Sequence, residues 1–155
     1  MRQSLSHRSD KARADRGRRA AAITIWIALA ASALMIAVTV IDQVGAQSLY
    51  EFTDRAYAAH DVVPEQSLVY GILYAVNITI ALIWAAMLLI SKLRGWWAAL
   101  LSAAATLVTG SIAIALLTVS EYGERVFSPA WGLMAIVPTV LGVAATVLLA
   151  RRARR

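Results

Sequence analysis

The chain alternates between long apolar runs and short charged connections. Four stretches contain no Asp, Glu, Lys, Arg or His, at residues 20–41, 66–91, 95–120 and 126–150. Each is at least as long as the roughly 20 residues that an α-helix needs to cross a hydrocarbon core. Backbone N–H and C=O groups find no water there, so each run must close its own hydrogen bonds as a helix. The pattern predicts an all-α membrane protein, a bundle of four transmembrane helices over residues 20–150. A basic segment, 1–19, and a basic tail, 151–155, flank it.

Only the first connection has room for structure of its own. Ser48-Leu49-Tyr50-Glu51 has the S-x-x-E form of a capping box, and Leu49, Phe52, Ala56 and Val63 recur near helical spacing. This predicts a short amphipathic helix from about Leu49 to Ala59, with an irregular loop as the alternative. Pro64 suits the start of the next helix, where its missing donor costs nothing. Lys92-Leu93-Arg94-Gly95 reads as a tight helical hairpin, and the connection around Glu121 to Arg125 as nearly as short.

Charge orients this frame. Lys and Arg number thirteen in the N-terminal segment, the second connection and the tail, against Arg55 and Arg125 alone in the first and third connections. Such a bias places both termini in the cytoplasm and makes the loop helix extracytoplasmic. The acids run the other way, with Asp10 and Asp15 inside and seven others outside. The basic excess is accounted for by topology and by attraction to anionic lipids at the cytoplasmic face. Nucleic acid is not an expected partner, because the aromatic residues sit at span ends rather than among the basic ones. Segment 1–19 is polar, Arg-rich and without apolar periodicity, which predicts disorder. The first apolar run is too long for a signal-peptide core, and Asp42 and Gln43 precede the small residues Val44-Gly45-Ala46, so a retained helix is favoured over a cleaved signal. Ala-, Val- and Arg-rich usage resembles that of bacteria with GC-rich genomes, which makes a bacterial inner membrane the expected location.

Little chemistry is on offer. Cysteine is absent, removing disulfides and thiol chemistry. His7 and His60 lie outside the spans, so no pair of histidines can hold a haem between helices. No zinc or EF-hand spacing is present, and no cofactor is expected. Tyr50, Tyr57, Tyr70, Tyr122, Phe127 and Trp131 gather toward the outer side, and Trp96 and Trp97 at the inner side, where anchoring at the headgroup level accounts for them. No carboxylate lies within a span, so the membrane-embedded Glu on which four-span small multidrug transporters depend has no counterpart.

Two features remain as candidate sites. The first is a repeated outward motif: Glu51, Asp54 and Arg55 recur as Glu121, Glu124 and Arg125, each followed by a small apolar residue and an aromatic. A duplicated two-helix unit would leave such a trace. It would set Glu51 against Arg55 and Glu121 against Arg125 at i, i+4, or let each Arg pair with the other copy's Asp54 or Glu124. The second is a mid-membrane polar layer of Ser32, Asn77, Thr106, Thr109, Pro138 and Thr139, located by folding each hairpin about its turn. Asn77 is expected to bond Thr106 or Thr109. Interhelical glue is the plain reading and a solute site the sharper one. Small-residue faces, such as Ala28 with Ser32 or Gly142 with Ala145, suit helix packing. The sequence thus predicts a non-enzymatic accessory subunit, scaffold or regulator that meets other membrane proteins or itself. The alternative is a small transporter or channel for a neutral or weakly cationic solute.

Overall fold

The computed structural model describes residues 2–93 and 96–153, with the side chains of 2–15 and 18 left aside. Five helices make the fold: α1 (Arg2–Val44), α2 (Ser48–Ala58), α3 (Gln66–Ile90), α4 (Trp97–Thr118) and α5 (Pro129–Ala153). Four of them, counting α1 from Arg19, are long and apolar enough to cross a membrane. Two short strands, β1 (Ser120–Glu121) and β2 (Glu124–Arg125), pair antiparallel between α4 and α5.

The apolar periodicity sets how the long helices meet. Along α1 the buried positions are Ala21, Ile25, Ala28, Ser32, Met35, Thr39 and Asp42, and along α3 they include Tyr70, Leu73, Asn77, Ile80, Trp84 and Met87. Steps of three and four residues average 3.5, the spacing of helices that wrap left-handedly with side chains seated between neighbours. α1 lies against both α3 and α5, α4 lies chiefly against α5, and the α3–α4 contact is the slightest of the ring. Outward faces are apolar instead of charged: Leu34, Leu82, Leu107 and Val140 are 60% exposed or more. An apolar belt on every long helix is a surface suited to lipid.

Several boundaries differ from expectation. Helix α1 continues through residues 2–19, where disorder was expected; Arg, Lys, Gln and Ala propagate a helix well once a span has nucleated it. α5 begins at Pro129, whose fixed φ and missing donor fit a first helical position, and passes through Pro138 without ending. The third connection is a β-hairpin, not a bare turn. Tyr122 and Gly123 take φ of 55° and 87°, the positive pair that a tight mirror-image hairpin turn requires. The tight hairpin expected at Lys92 to Gly95 lies partly outside the described residues.

Candidate functional site

α2 and the β-hairpin together cap one end of the bundle. The cap starts from Asp42, in the last turn of α1. Its Oδ1 accepts from the Ser48 amide at 3.0 Å and the Ser48 hydroxyl at 2.5 Å, and its Oδ2 accepts from the Leu49 amide at 3.1 Å. The Tyr70 hydroxyl of α3 donates to the same Oδ2 at 2.8 Å. Four donors use nearly all the acceptor capacity of a carboxylate, so Asp42 is a structural knot joining α1, α2 and α3. Next to it the Tyr74 hydroxyl donates to Gln43 Oε1 at 2.6 Å.

This corrects the capping box. Gln47, in left-handed conformation, is the N-cap of α2, and no side chain of its own bonds the helix start. An ionised carboxylate satisfies the first amides better than the Ser48 hydroxyl would, because charge and helix dipole act together. Ser48 therefore donates to Asp42, and Glu51 turns to Arg55. Asp42 was readable as the lone acid closing the first apolar run, six residues before Ser48. Tyr70 gave no signal beyond interfacial anchoring, and Tyr74 none at all.

Leu49 and Thr53 are the buried side chains of α2. The Thr53 hydroxyl sits 3.0 Å from both the Leu49 and the Val126 carbonyls, tying α2 to the segment between β2 and α5. Above it the two motif copies meet. The Tyr57 hydroxyl donates to Glu121, Tyr57 and Tyr122 pack edge to face at 5.8 Å, and His60 stacks on Tyr122 at 4.3 Å. The carboxylate of Glu121 holds the Tyr57 proton, with burial adding to it, and pushes the phenol up to about 12.

The repeat, however, is one of letters and not of conformation. Glu51, Asp54 and Arg55 lie on a helix, whereas Glu121, Glu124 and Arg125 lie on the hairpin, which sets Glu121 opposite Glu124. Arg55 pairs with Glu51 at 3.5 Å, the only ion pair among the described residues. Neither the Glu121–Arg125 helical pair nor the cross-pairing of Arg55 with Glu124, or of Arg125 with Asp54, is made. A hairpin turn removes the i, i+4 neighbourhood, and the local pair claims Arg55 first. What the fold does achieve is to bring Arg55, Glu124 and Arg125 around one cleft of about 600 Å³, with Phe52, Ala56 and Ala59 beside them.

The mid-span polar residues divide between helix pairs instead of forming one layer. Asn77 Nδ2 donates to Thr39 of α1 at 3.0 Å, not to Thr106 or Thr109, because α3 leans on α1 rather than on α4. Ser32, Thr109 and Thr139 return their hydroxyls to carbonyls of their own helices, those of Ala28, Thr106 and Ala135. Thr106 joins a separate α4–α5 cluster, in which Ser102 and Thr146 approach to 2.9 Å. Pro138 is fully buried in α5. Two buried polar atoms on one face of α3, Asn77 Oδ1 and Trp84 Nε1, have no partner among the described residues. Between the helices the Trp84 ring lies so close to Gly142 that a Cβ there would strike it, and would come within 2.7 Å of Thr106 Oγ1.

Among the described residues no three His, Cys, Asp or Glu side chains converge to hold a metal ion. Comparison of the chain with protein-family models, with curated proteins and with solved structures found no match.

Proposed function

We propose that this chain is a non-enzymatic multi-pass protein of a bacterial inner membrane, with both termini inside. It acts as an accessory subunit, scaffold or regulator whose extracytoplasmic cap meets a partner membrane protein. The observation that carries the reading is the filled interior. The Trp84 indole occupies the space opposite Gly142 with no exposure of its own, and Leu73, Ile80 and Met87 fill the same face of α3. A bundle packed in this way offers structure to its surroundings rather than a path through itself. Its outward resource is the cap, where the exposed Arg55 and Arg125 share a cleft with Glu124 and the apolar strip of Phe52, Ala56 and Ala59, and Tyr122 stands exposed on the neighbouring hairpin turn. Arg and Tyr beside apolar surface are the side chains that dominate protein interfaces.

A photo-crosslinker at Tyr122, with Leu107 on the lipid face of α4 as control, tests the docking. One discrete protein adduct at Tyr122, weakened by Arg125→Glu, supports the reading. Adducts no stronger than those at Leu107 would remove it.

A second reading, a small transporter or channel for a neutral or weakly cationic solute, draws support from the unpartnered Asn77 Oδ1 and Trp84 Nε1. Buried orphan acceptors and donors are what a passing solute or water would satisfy. The chain has no cysteine, so Asn77→Cys gives a single reporter. Labelling of that thiol by a membrane-impermeant reagent favours the transporter, and protection favours the subunit.

A further inference from the structure

Away from the cap, the end of the bundle that carries Arg151 and Arg152 has a groove between α1 and α3. It holds about 640 Å³ and is lined by Ala22 and Trp26 of α1 and by Ala85, Leu88 and Leu89 of α3, ending at Ser91 and Lys92. Trp26 and Leu89, 60% and 68% exposed, stand out from the bundle on either helix, while the short side chains of Ala22 and Ala85 leave the depression between them. From Ala85 to Lys92 the groove runs two helical turns, about 10 Å.

Its mouth is cationic. Lys92 is exposed there, and Arg19, also exposed, lies one turn before Ala22 on the same face of α1. Neither makes an ion pair among the described residues. Ser91 is kept in place beside them, its hydroxyl donating to the Leu88 carbonyl at 2.8 Å and its carbonyl accepting from Arg152 at 3.4 Å.

We propose that this groove binds one phospholipid with an anionic headgroup. The phosphate sits between Lys92 and Arg19, and an acyl chain lies along Ala85 between Trp26 and Leu89. Both walls belong to helices long and apolar enough to cross a membrane, so whatever fills the groove must be apolar along its length. It must also be anionic at one end, to meet two cations where the spans reach water. A phospholipid has this polarity built in. A partner helix would have to carry an acid at this one depth. The inference rests on the membrane-spanning reading, and it stands or falls apart from partner docking, which uses the opposite end of the bundle.

Native mass spectrometry of the full chain in neutral detergent tests it, with phosphatidylglycerol and phosphatidylcholine of matched acyl chains as probes. Wild type should retain one phosphatidylglycerol and prefer it over phosphatidylcholine. Lys92→Gln and Arg19→Gln should each lower that preference about fivefold, as expected for one cation at a headgroup. Ala85→Leu, which fills the groove without touching charge, should lower retention of both lipids. Leu107→Ala on α4 should change neither, and inorganic phosphate should not displace the bound lipid. Equal retention of the two lipids by wild type, an unchanged preference in the charge variants, or displacement by phosphate would overturn the proposal.

Discussion

Tyr70 and Asp42 meet across the α1–α3 interface at 2.8 Å, and the same carboxylate holds the first amides of α2. One side chain therefore fixes the height at which the cap joins the bundle. Hydrogen bonds to a charged acceptor are worth about 1.5–3 kcal/mol each, so Tyr70→Phe should lower unfolding stability in detergent by roughly that amount. Asp42→Ala should cost more, because all four donors lose their acceptor together. It should also speed hydrogen exchange at the Ser48 and Leu49 amides, whereas Tyr70→Phe should leave them protected. Equal exchange in both variants would show that Asp42 does not hold α2.

Asn77 and Thr39 permit a sharper comparison, because one partner is over-supplied with polar atoms. Asn77→Leu removes a hydrogen bond but also the unpartnered Oδ1, so its cost should stay within about 1 kcal/mol. Thr39→Val leaves the Asn77 amide group buried without its acceptor and should cost about 1–3 kcal/mol. Combining the two should be milder than Thr39→Val alone. Thermal unfolding of the three variants in one detergent decides it, and a simple sum of the two losses would rule the contact out.

The four apolar runs were legible because exclusion of charge over roughly 20 residues is a local signal. The partner of Asn77 was not. Folding hairpins about their turns assumes that consecutive spans are the closest neighbours, and here α3 leans on α1 instead. The hairpin at Tyr122-Gly123 escaped for a related reason. Glu121 and Arg125 carry helix-compatible spacing, and only the positive φ at two adjacent residues reveals the turn. The knot at Asp42 joins residues 28 apart in sequence, and no spacing rule links an acid to a tyrosine in another helix.

The charge bias makes an orientation forecast. If both termini are inside, reporter fusions at Gln47 and after Arg155 should report opposite compartments. The same compartment for both would end the four-span arrangement and, with it, the assignment of the cap to the outer surface.

Tyr57 should titrate late. Its bond to Glu121 raises the phenol from its ordinary 10 to about 12, so the folded protein keeps a proton that the unfolded chain has released. The stabilisation from this contact is therefore complete below pH 10 and fades as pH rises from 10 to about 12. Ultraviolet difference titration of wild type against Tyr57→Phe isolates this phenol. In Glu121→Gln it should move back toward 10, since the hydrogen bond to a carboxylate and the carboxylate's charge both go. No movement would mean that burial, not Glu121, sets the proton.

The contact between Trp84 and Gly142 makes the strongest claim about the interior. A Cβ at position 142 would overlap ring carbons of Trp84 and approach Thr106 Oγ1 to 2.7 Å. The ring has no exposed side to retreat to, so α3 and α5 must separate or the indole must leave its rotamer. Overpacking of this kind costs about 1–3 kcal/mol, which Gly142→Ala should lose in thermal stability. Trp84→Phe alone should also destabilise, through the volume it leaves empty. If steric overlap is the cause, the double variant Gly142→Ala with Trp84→Phe should be more stable than the sum of the separate losses allows. Strict additivity would place Trp84 away from Gly142 and would reopen the interior as a route for solute.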